Sequence, residues 1–290
     1  MIVHVAEAGE ARGRVVLRCG FSPAANDAGL KAAIHVARAY HAEIEALFVE
    51  NRHVFALASY PFARELALAG GAVDTLSPGN LDARYRALHD AEGRRVLAGA
   101  AEAGIEARVS TMREDDMAAL ARCCTESGPW NVVVLADPAE AASGNAIGRV
   151  LESVLDATGV IAAARRSAPG IAPGRGPVVI AAEDEERLPV MLRAAERLAA
   201  VNGSEIRLML VAGEEDILWL EAQARLLVAG NKRCTIEMID ASRIAAAALV
   251  QRLWAMRAGF LIARHGGLLL PPDEPQTLVS VLRCPVFCIR

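Results

Sequence analysis

The chain has 290 residues, 53% of them hydrophobic, 23% charged and 4% aromatic, with a formal net charge of −4. That length suggests about two domains, and the apolar fraction excludes a mainly disordered chain. Residues 1–170 carry 17 basic and 21 acidic side chains and residues 171–290 carry 14 of each, so neither half is a basic nucleic-acid-binding arm.

In chain order, Met1–Gly9 has neither a basic region nor a long apolar run, so no signal peptide is expected. Arg14–Cys19 is a short β-rich run. Ser22-Pro23 then predicts a helix start, because the hydroxyl accepts an orphan N–H and proline lacks the donor that would be orphaned. That helix runs to about Tyr40, and Glu43–Val49 is a second strand. A long helix is expected over Leu81–Ala103, ending at Gly104. Ala107–Ser110 is a third strand, and Asp115 or Asp116 caps a helix through Cys124. Asn131–Leu135 reads as a buried strand, Arg149–Asp156 as a helix and Val160–Ala163 as the last strand of this half.

Between the second strand and the long helix lie about 30 additional residues, Glu50–Asn80, holding Phe55, Tyr60 and Phe62. Two readings are open: a lid or partner surface, or a helical turn and loop packed over a sheet edge, which we prefer. The stretch His53–Val73 is weakly polar, but Pro61, Arg64 and Glu65 stand near its middle. A charge at the bilayer centre costs about 3 kcal/mol, so no membrane span is expected.

Ala164–Pro177 is rich in proline and glycine and reads as a linker. The boundaries we expect are a first domain over 1–164 with an insertion at 50–80, a linker over 165–176 and a second domain over 177–290. The second domain repeats the rhythm of the first. Strands are expected at Pro177–Ala182, Ile206–Val211, Thr235–Ile239, Phe260–Ala263 and Pro285–Ile289. Helices are expected at Pro189–Ala200, Ile217–Ala229, Ile244–Arg257 and Gln276–Leu282. Strands alternating with helices twice over predict two α/β domains with parallel sheets.

The six cysteines do not suggest a disulfide scaffold in a chain of this size, and we place the protein in a reducing cytoplasm. Cys19, at a strand end near a helix N-terminus, is the one thiol whose pKa could fall, although a plain buried cysteine is the preferred reading. The histidines lack metal-ligand spacing, so no metal site is expected. His265 falls at the end of a strand in the second half and reads as a solvated loop residue. Gly20-Phe-Ser-Pro-Ala24 lacks the last glycine of a nucleophile elbow, and no enzyme activity is expected.

Val15–Ser22 followed by an alanine-rich helix, then Ala42–Glu50, Ala103–Val109 and Trp130–Leu135, resembles a universal stress protein domain in order. Val281–Ile289, with its Cys-Pro-Val, resembles the closing segment of that family. The resemblance covers nearly the whole chain as a tandem pair. It implies two Rossmann-like domains, each a five-stranded parallel sheet with helices on both faces. It also implies a binding or signalling role in stress response without established chemistry.

Better-defined members bind ATP through an Asp at the end of the first strand and a Gly-x-x-Gly, nine-residue gap, Gly-Ser or Gly-Thr motif after the fourth. Here Cys19 and Glu183 stand at the two Asp positions. Gly144 and Gly148 come late in the first repeat, and Gly148 is followed by Arg149. In the second repeat Gly266-Gly267 follows the fourth strand, with Pro272-Asp273 where Gly-Ser belongs.

In open α/β sheets, ligands bind beyond the carboxyl ends of the strands at the switch point. In the first repeat that point is lined by Cys19, Gly20, Phe21 and Ser22 on one side. Ala136, Asp137, Gly144 and Gly148 line the other. Arg18 or Arg149 is available to an anion, while Asp137 opposes a triphosphate. In the second repeat the acidic run Glu183–Glu186 suits a helix N-terminus and repels phosphate. The expectation is therefore weak binding of an adenine nucleotide such as ATP, or a related ligand, in the first repeat alone. The alternatives are an interaction scaffold with a protein partner and no small ligand, and, with less support, a nucleotide-processing enzyme. Val160–Ala163 and Pro285–Ile289 should meet around a pseudo-twofold axis, making an intrachain pseudo-dimer that leaves further self-association open and covers two sheet edges.

Overall fold

Strands buried on both faces read as unbroken apolar runs, and this chain has several. In the computed structural model, Val15, Leu17 and Cys19 join one hydrophobic core and Val16 the other. The structure describes residues 13–66, 73–125, 130–136, 146–154, 157–163, 176–242, 244, 246–271 and 284–289. The first half contains β1 (Arg14–Cys19), α1 (Pro23–Tyr40), β2 (Glu43–Val49), α2 (Arg52–Ala58), β3 (Arg64–Leu66) and β4 (Val73–Thr75). It continues with α3 (Pro78–Glu102), β5 (Ala107–Met112), α4 (Asp116–Thr125), β6 (Asn131–Leu135), α5 (Ala146–Ser153) and β7 (Ala157–Ala162). The second half contains β8 (Val178–Ala182), α6 (Leu188–Asn202), β9 (Ile206–Ala212), α7 (Glu214–Leu227) and β10 (Cys234–Asp240). It ends with α8 (Ala246–Ala255), β11 (Phe260–Arg264) and β12 (Val286–Ile289).

Ten strands make one sheet in the order β10-β9-β8-β11-β12-β7-β6-β1-β2-β5. Within each half all neighbours are parallel, and each half has its third, second, first, fourth and fifth strands side by side. This is the doubly wound arrangement, with a switch point between first and fourth strands. Helices α1, α3, α6 and α7 bury their apolar stripes on one face. Helices α4, α5 and α8 cover the other. No helix among the described residues is long and apolar enough to cross a membrane.

Local chemistry fixes the helix ends. Ser22 Oγ accepts the Ala25 N–H at 3.3 Å with Pro23 at the first helical position. His41 closes α1 in the left-handed region, its N–H bonded to Ala37 O. Ser77-Pro78 repeats the Ser-Pro device and starts α3 three residues before Leu81. Asp115 accepts the Met117 N–H, leaving Asp116 in the first turn of α4. Helix α5 begins at Ala146 rather than Arg149, and α7 at Glu214, where Glu214, Glu215 and Asp216 complement the helix dipole. The expected helix Gln276–Leu282 and the linker up to residue 175 lie outside the described residues.

The 50–80 insertion is more ordered than a turn and loop. Asn51 caps α2, and β3 and β4 pair as an antiparallel hairpin. Phe55, Ala58, Leu81 and Tyr85 form a small apolar cluster separate from the two main cores. Tyr60 and Phe62 do not join it; they stack on each other at the surface, with Phe62 72% exposed.

The two halves meet through β7 and β12, which pair antiparallel with Val286 opposite Ala162 and Ile289 opposite Gly159. The expected meeting of the two closing strands is thus present. Beside it, α1 and α6 pack across the seam. The buried His35 donates from Nε2 to Leu198 O at 2.9 Å, receives Asn202 Nδ2 at Nδ1 at 3.4 Å, and lies 4.9 Å from the Phe260 ring. Burial holds the His35 pKa below its ordinary 6.5, the Leu198 carbonyl opposes that shift, and Arg38 adds to it. The neutral ring is the one that fits, so its contribution to stability is full above the ordinary pKa and is lost as pH falls through the lowered one. His35→Gln keeps an amide donor and an acceptor without a titrating group. The melting temperature of the native chain should therefore fall more between about pH 7.5 and about pH 5.5 than that of His35→Gln. His89, also lowered, contributes in both proteins. Equal falls would show that His35 does not couple the seam to pH.

Candidate functional site

At the carboxyl edge of the first half, the loop after β1 is fastened to α1 and α3 from below. Asn26 Oδ1 accepts the Gly20 N–H at 2.9 Å, and its Nδ2 donates to Gly20 O at 3.0 Å and to Glu92 Oε2 at 3.2 Å. Asn26 and Glu92 are 1% and 3% exposed, so this bidentate clamp works in a low-dielectric setting where an unmade bond is costly. Both polar backbone groups of Gly20 are therefore committed. Ser22 is the α1 cap. Arg18, expected to be available to an anion, is paired with Asp116 at 2.9 Å and also donates to Cys19 O.

Cys19 is buried, and burial pushes its thiol up to about 12. It is not a thiolate, and the plain buried cysteine is the reading that fits. All six cysteines are free; Cys284 and Cys288 are likewise pushed up to about 12 by burial.

On the far side of the switch point, Ala136 is fully buried. A methyl added at Gly29 would come within 2.8 Å of the Ala136 Cβ, so α1 lies close against the end of β6 at that point. Gly148 is buried within the first turn of α5 rather than in an open loop, and Arg149 is exposed beside it. Asp137 and Gly144 lie outside the described residues. Of the eight expected residues, Phe21 lines a cavity on this side of the sheet.

That cavity, of about 500 Å³, is bounded by the β1–α1 loop, the insertion and the first turns of α3. Phe21 sits edge-on to Tyr85 at 5.3 Å, and Tyr85 lies 5.5 Å from Phe55. Val54, Leu76, Leu81 and Leu88 supply further apolar wall, and Arg64, Glu65 and Arg84 supply charge. Behind Tyr85 is a charged layer that sequence reasoning did not find. Glu50 accepts from Arg113 Nε at 2.8 Å and stands 3.7 Å from His89 Nδ1. Arg113 also pairs with Asp82, and its guanidinium lies 3.8 Å from the Phe55 ring centroid. His89 packs on Phe48 and is held below its ordinary pKa by burial, against the pull of Glu50. Tyr85 is raised by burial and by Glu50. No group of three or more His, Cys, Asp or Glu side chains suited to a metal ion occurs among the described residues.

The corresponding place in the second half is filled by the protein itself. Glu183 follows β8 and reaches the loop after β11, where its carboxylate accepts the N–H groups of Leu268 at 2.6 Å and Leu269 at 3.3 Å. Any side chain at Gly267 would collide with that carboxylate. The rest of the acidic run is also engaged. Asp184 pairs with Arg264 at 2.7 Å and accepts the Arg187 N–H at 2.9 Å, and Glu185 accepts from Trp219. His265 is half-buried, its N–H on Ile289 O, which corrects the solvated-loop reading.

No family model matches the chain, and no curated protein matches it either. Solved structures do. A universal stress protein from Archaeoglobus fulgidus DSM 4304 is 14% identical, covers 97% of each chain and superposes with a TM-score of 0.63. A protein of unknown function from Pseudomonas aeruginosa PAO1 is 12% identical over 96% of this chain and 92% of its own, with a TM-score of 0.56. The cytoplasmic domain of a prokaryotic cation chloride cotransporter is 10% identical over 96% and 95%, with a TM-score of 0.53. The fold is that of universal stress protein structures, in agreement with the resemblance.

Glu183→Ala removes an internal anion that satisfies two backbone donors. It should cost about 1.5–3 kcal/mol in urea denaturation, the range for bonds to a charged acceptor. Glu185→Ala, on an exposed side chain, should stay within about 0.5 kcal/mol. Equal costs would show that the Glu183 carboxylate does not hold the loop.

Proposed function

We propose that this chain is a tandem protein of the universal-stress type, acting in stress response by binding a small molecule in its first half without turning it over. The observation that carries the reading is the contrast between the two carboxyl edges. One opens into a cavity of about 500 Å³ lined by Phe21, and the other is stoppered by Glu183. Such cavities beyond the carboxyl ends of strands are where α/β sheets take ligands. ATP would bind weakly at most, because Gly20 spends both backbone groups on Asn26 and Arg18 is spent on Asp116. The protein would thus act as an intrachain pseudo-dimer with one working site, in a reducing cytoplasm.

A second reading, an interaction scaffold, draws on a different observation. Leu57, Tyr60, Phe62, Leu66 and Val73 leave the insertion with an apolar outer surface, each more than half exposed. A native mass spectrum of the purified chain separates the two, showing a bound small molecule in one case and a protein complex in the other.

Deleting His53–Gly71 removes one wall of the cavity but leaves both main cores whole. Calorimetry with ATP should lose any signal in this variant and weaken in Phe21→Ala, while urea unfolding stays cooperative. An ATP signal unchanged in both would place the site elsewhere, and loss of cooperativity would make the insertion part of the main core.

A further inference from the structure

We infer that the cavity under the insertion binds a monocarboxylate with an apolar, ring-sized body. This rests on the reading that the first half holds the ligand site, and it names the ligand's chemistry. The wall presents the rings of Phe21 and Tyr85 and the aliphatic side chains of Val54, Leu76, Leu81 and Leu88, which reward an apolar body rather than a polar one. A volume of about 500 Å³ is within the range of small-molecule sites.

The rim decides the charge. Arg84 and Glu65 pair with each other, so they cancel. Arg64 has no carboxylate partner among the described residues. Its Nη1 donates to the carbonyls of Pro61 at 3.2 Å and Ala63 at 3.0 Å, which leaves the Nε and Nη2 donors of the guanidinium for a ligand. The rim therefore carries one uncompensated positive charge, next to apolar wall and on a planar fork that fits a carboxylate. A triphosphate brings more negative charge than this one cation balances. The hairpin register places Arg64 opposite Thr75, so the cation is held by the paired strands rather than on a free loop.

The test is calorimetry on the full chain with naphthoate, its uncharged counterpart naphthylmethanol, and ATP. Naphthoate should bind one per chain and more tightly than naphthylmethanol. Arg64→Gln should weaken naphthoate about tenfold and leave naphthylmethanol unchanged, the mark of one lost charge-assisted contact. Leu76→Trp, which fills the cavity, should abolish both, and Val54→Trp serves the same end if Leu76→Trp fails to fold. Phe62→Ser, on the outer surface, should change neither. Naphthoate binding that survives the cavity-filling variants, or that ignores Arg64→Gln, overturns the inference. If neither naphthalene compound binds but ATP does, and Phe21→Ala weakens it, the ligand class is wrong and the site reading stands. If none of the three binds, both fall.

Discussion

The antiparallel pairing of β7 with β12 is the constraint on which the rest of the structure depends. Each half ends in a strand that carries wholly buried side chains, among them Val160, Ile161, Val286 and Cys288. Left as edges, these strands would present unpaired N–H and C=O groups beside apolar side chains, a template for aggregation. Pairing them removes both edges at once and makes one ten-stranded sheet. Because the strands within each half are parallel and the seam is antiparallel, the two halves point in opposite directions. Their carboxyl edges therefore lie at opposite ends of the sheet. No ligand can touch both switch points.

The two edges are built in different ways. After β8, Glu183 turns its carboxylate onto the Leu268 and Leu269 amides, so a side chain takes the place an external anion would need. After β1, Cys19 is too short and too buried to do this. Instead Asn26, on the first turns of α1, ties down the loop from beneath and borrows Glu92 from α3 as its second acceptor. Loop fixation of this kind spends polar groups but fills no space above the loop. Phe21 is left projecting, 56% exposed, against Tyr85.

Much of the fold was legible because its signals are local. Asn131–Leu135 is a buried strand by composition, and Ser22-Pro23 is a helix start by mechanism. Where the reading failed, the signal was short or long-range. Strands β3 and β4 have three residues each and mostly exposed side chains, so no alternation could mark them. Ser77-Pro78 carried the same start signal as Ser22-Pro23 but lay inside a stretch read as loop. At the site, the β1 end was placed, yet its partners were not. Asn26 and Glu92 are 66 positions apart, and Glu50 and Arg113 are 63 apart, distances at which sequence spacing says nothing about contact. One hint was available: Glu92 stands on the core-facing side of α3 with Val96 and Ala100, and a carboxylate there demands a partner.

The insertion gives the first half what the common framework lacks. Its cluster of Phe55, Ala58, Leu81 and Tyr85 is separate from both main cores, so its packing can loosen or tighten without unfolding the sheet. Tyr85 belongs to this cluster, lines the cavity and touches His89, whose neighbour Glu50 is bound to Arg113 over Phe55. A ligand between the hairpin and α3 would press on Tyr85 and Phe21 together. The exposed side chains of Leu57, Tyr60 and Phe62 ride on the same segment. The segment that walls the cavity is thus the same one that carries the apolar outward surface.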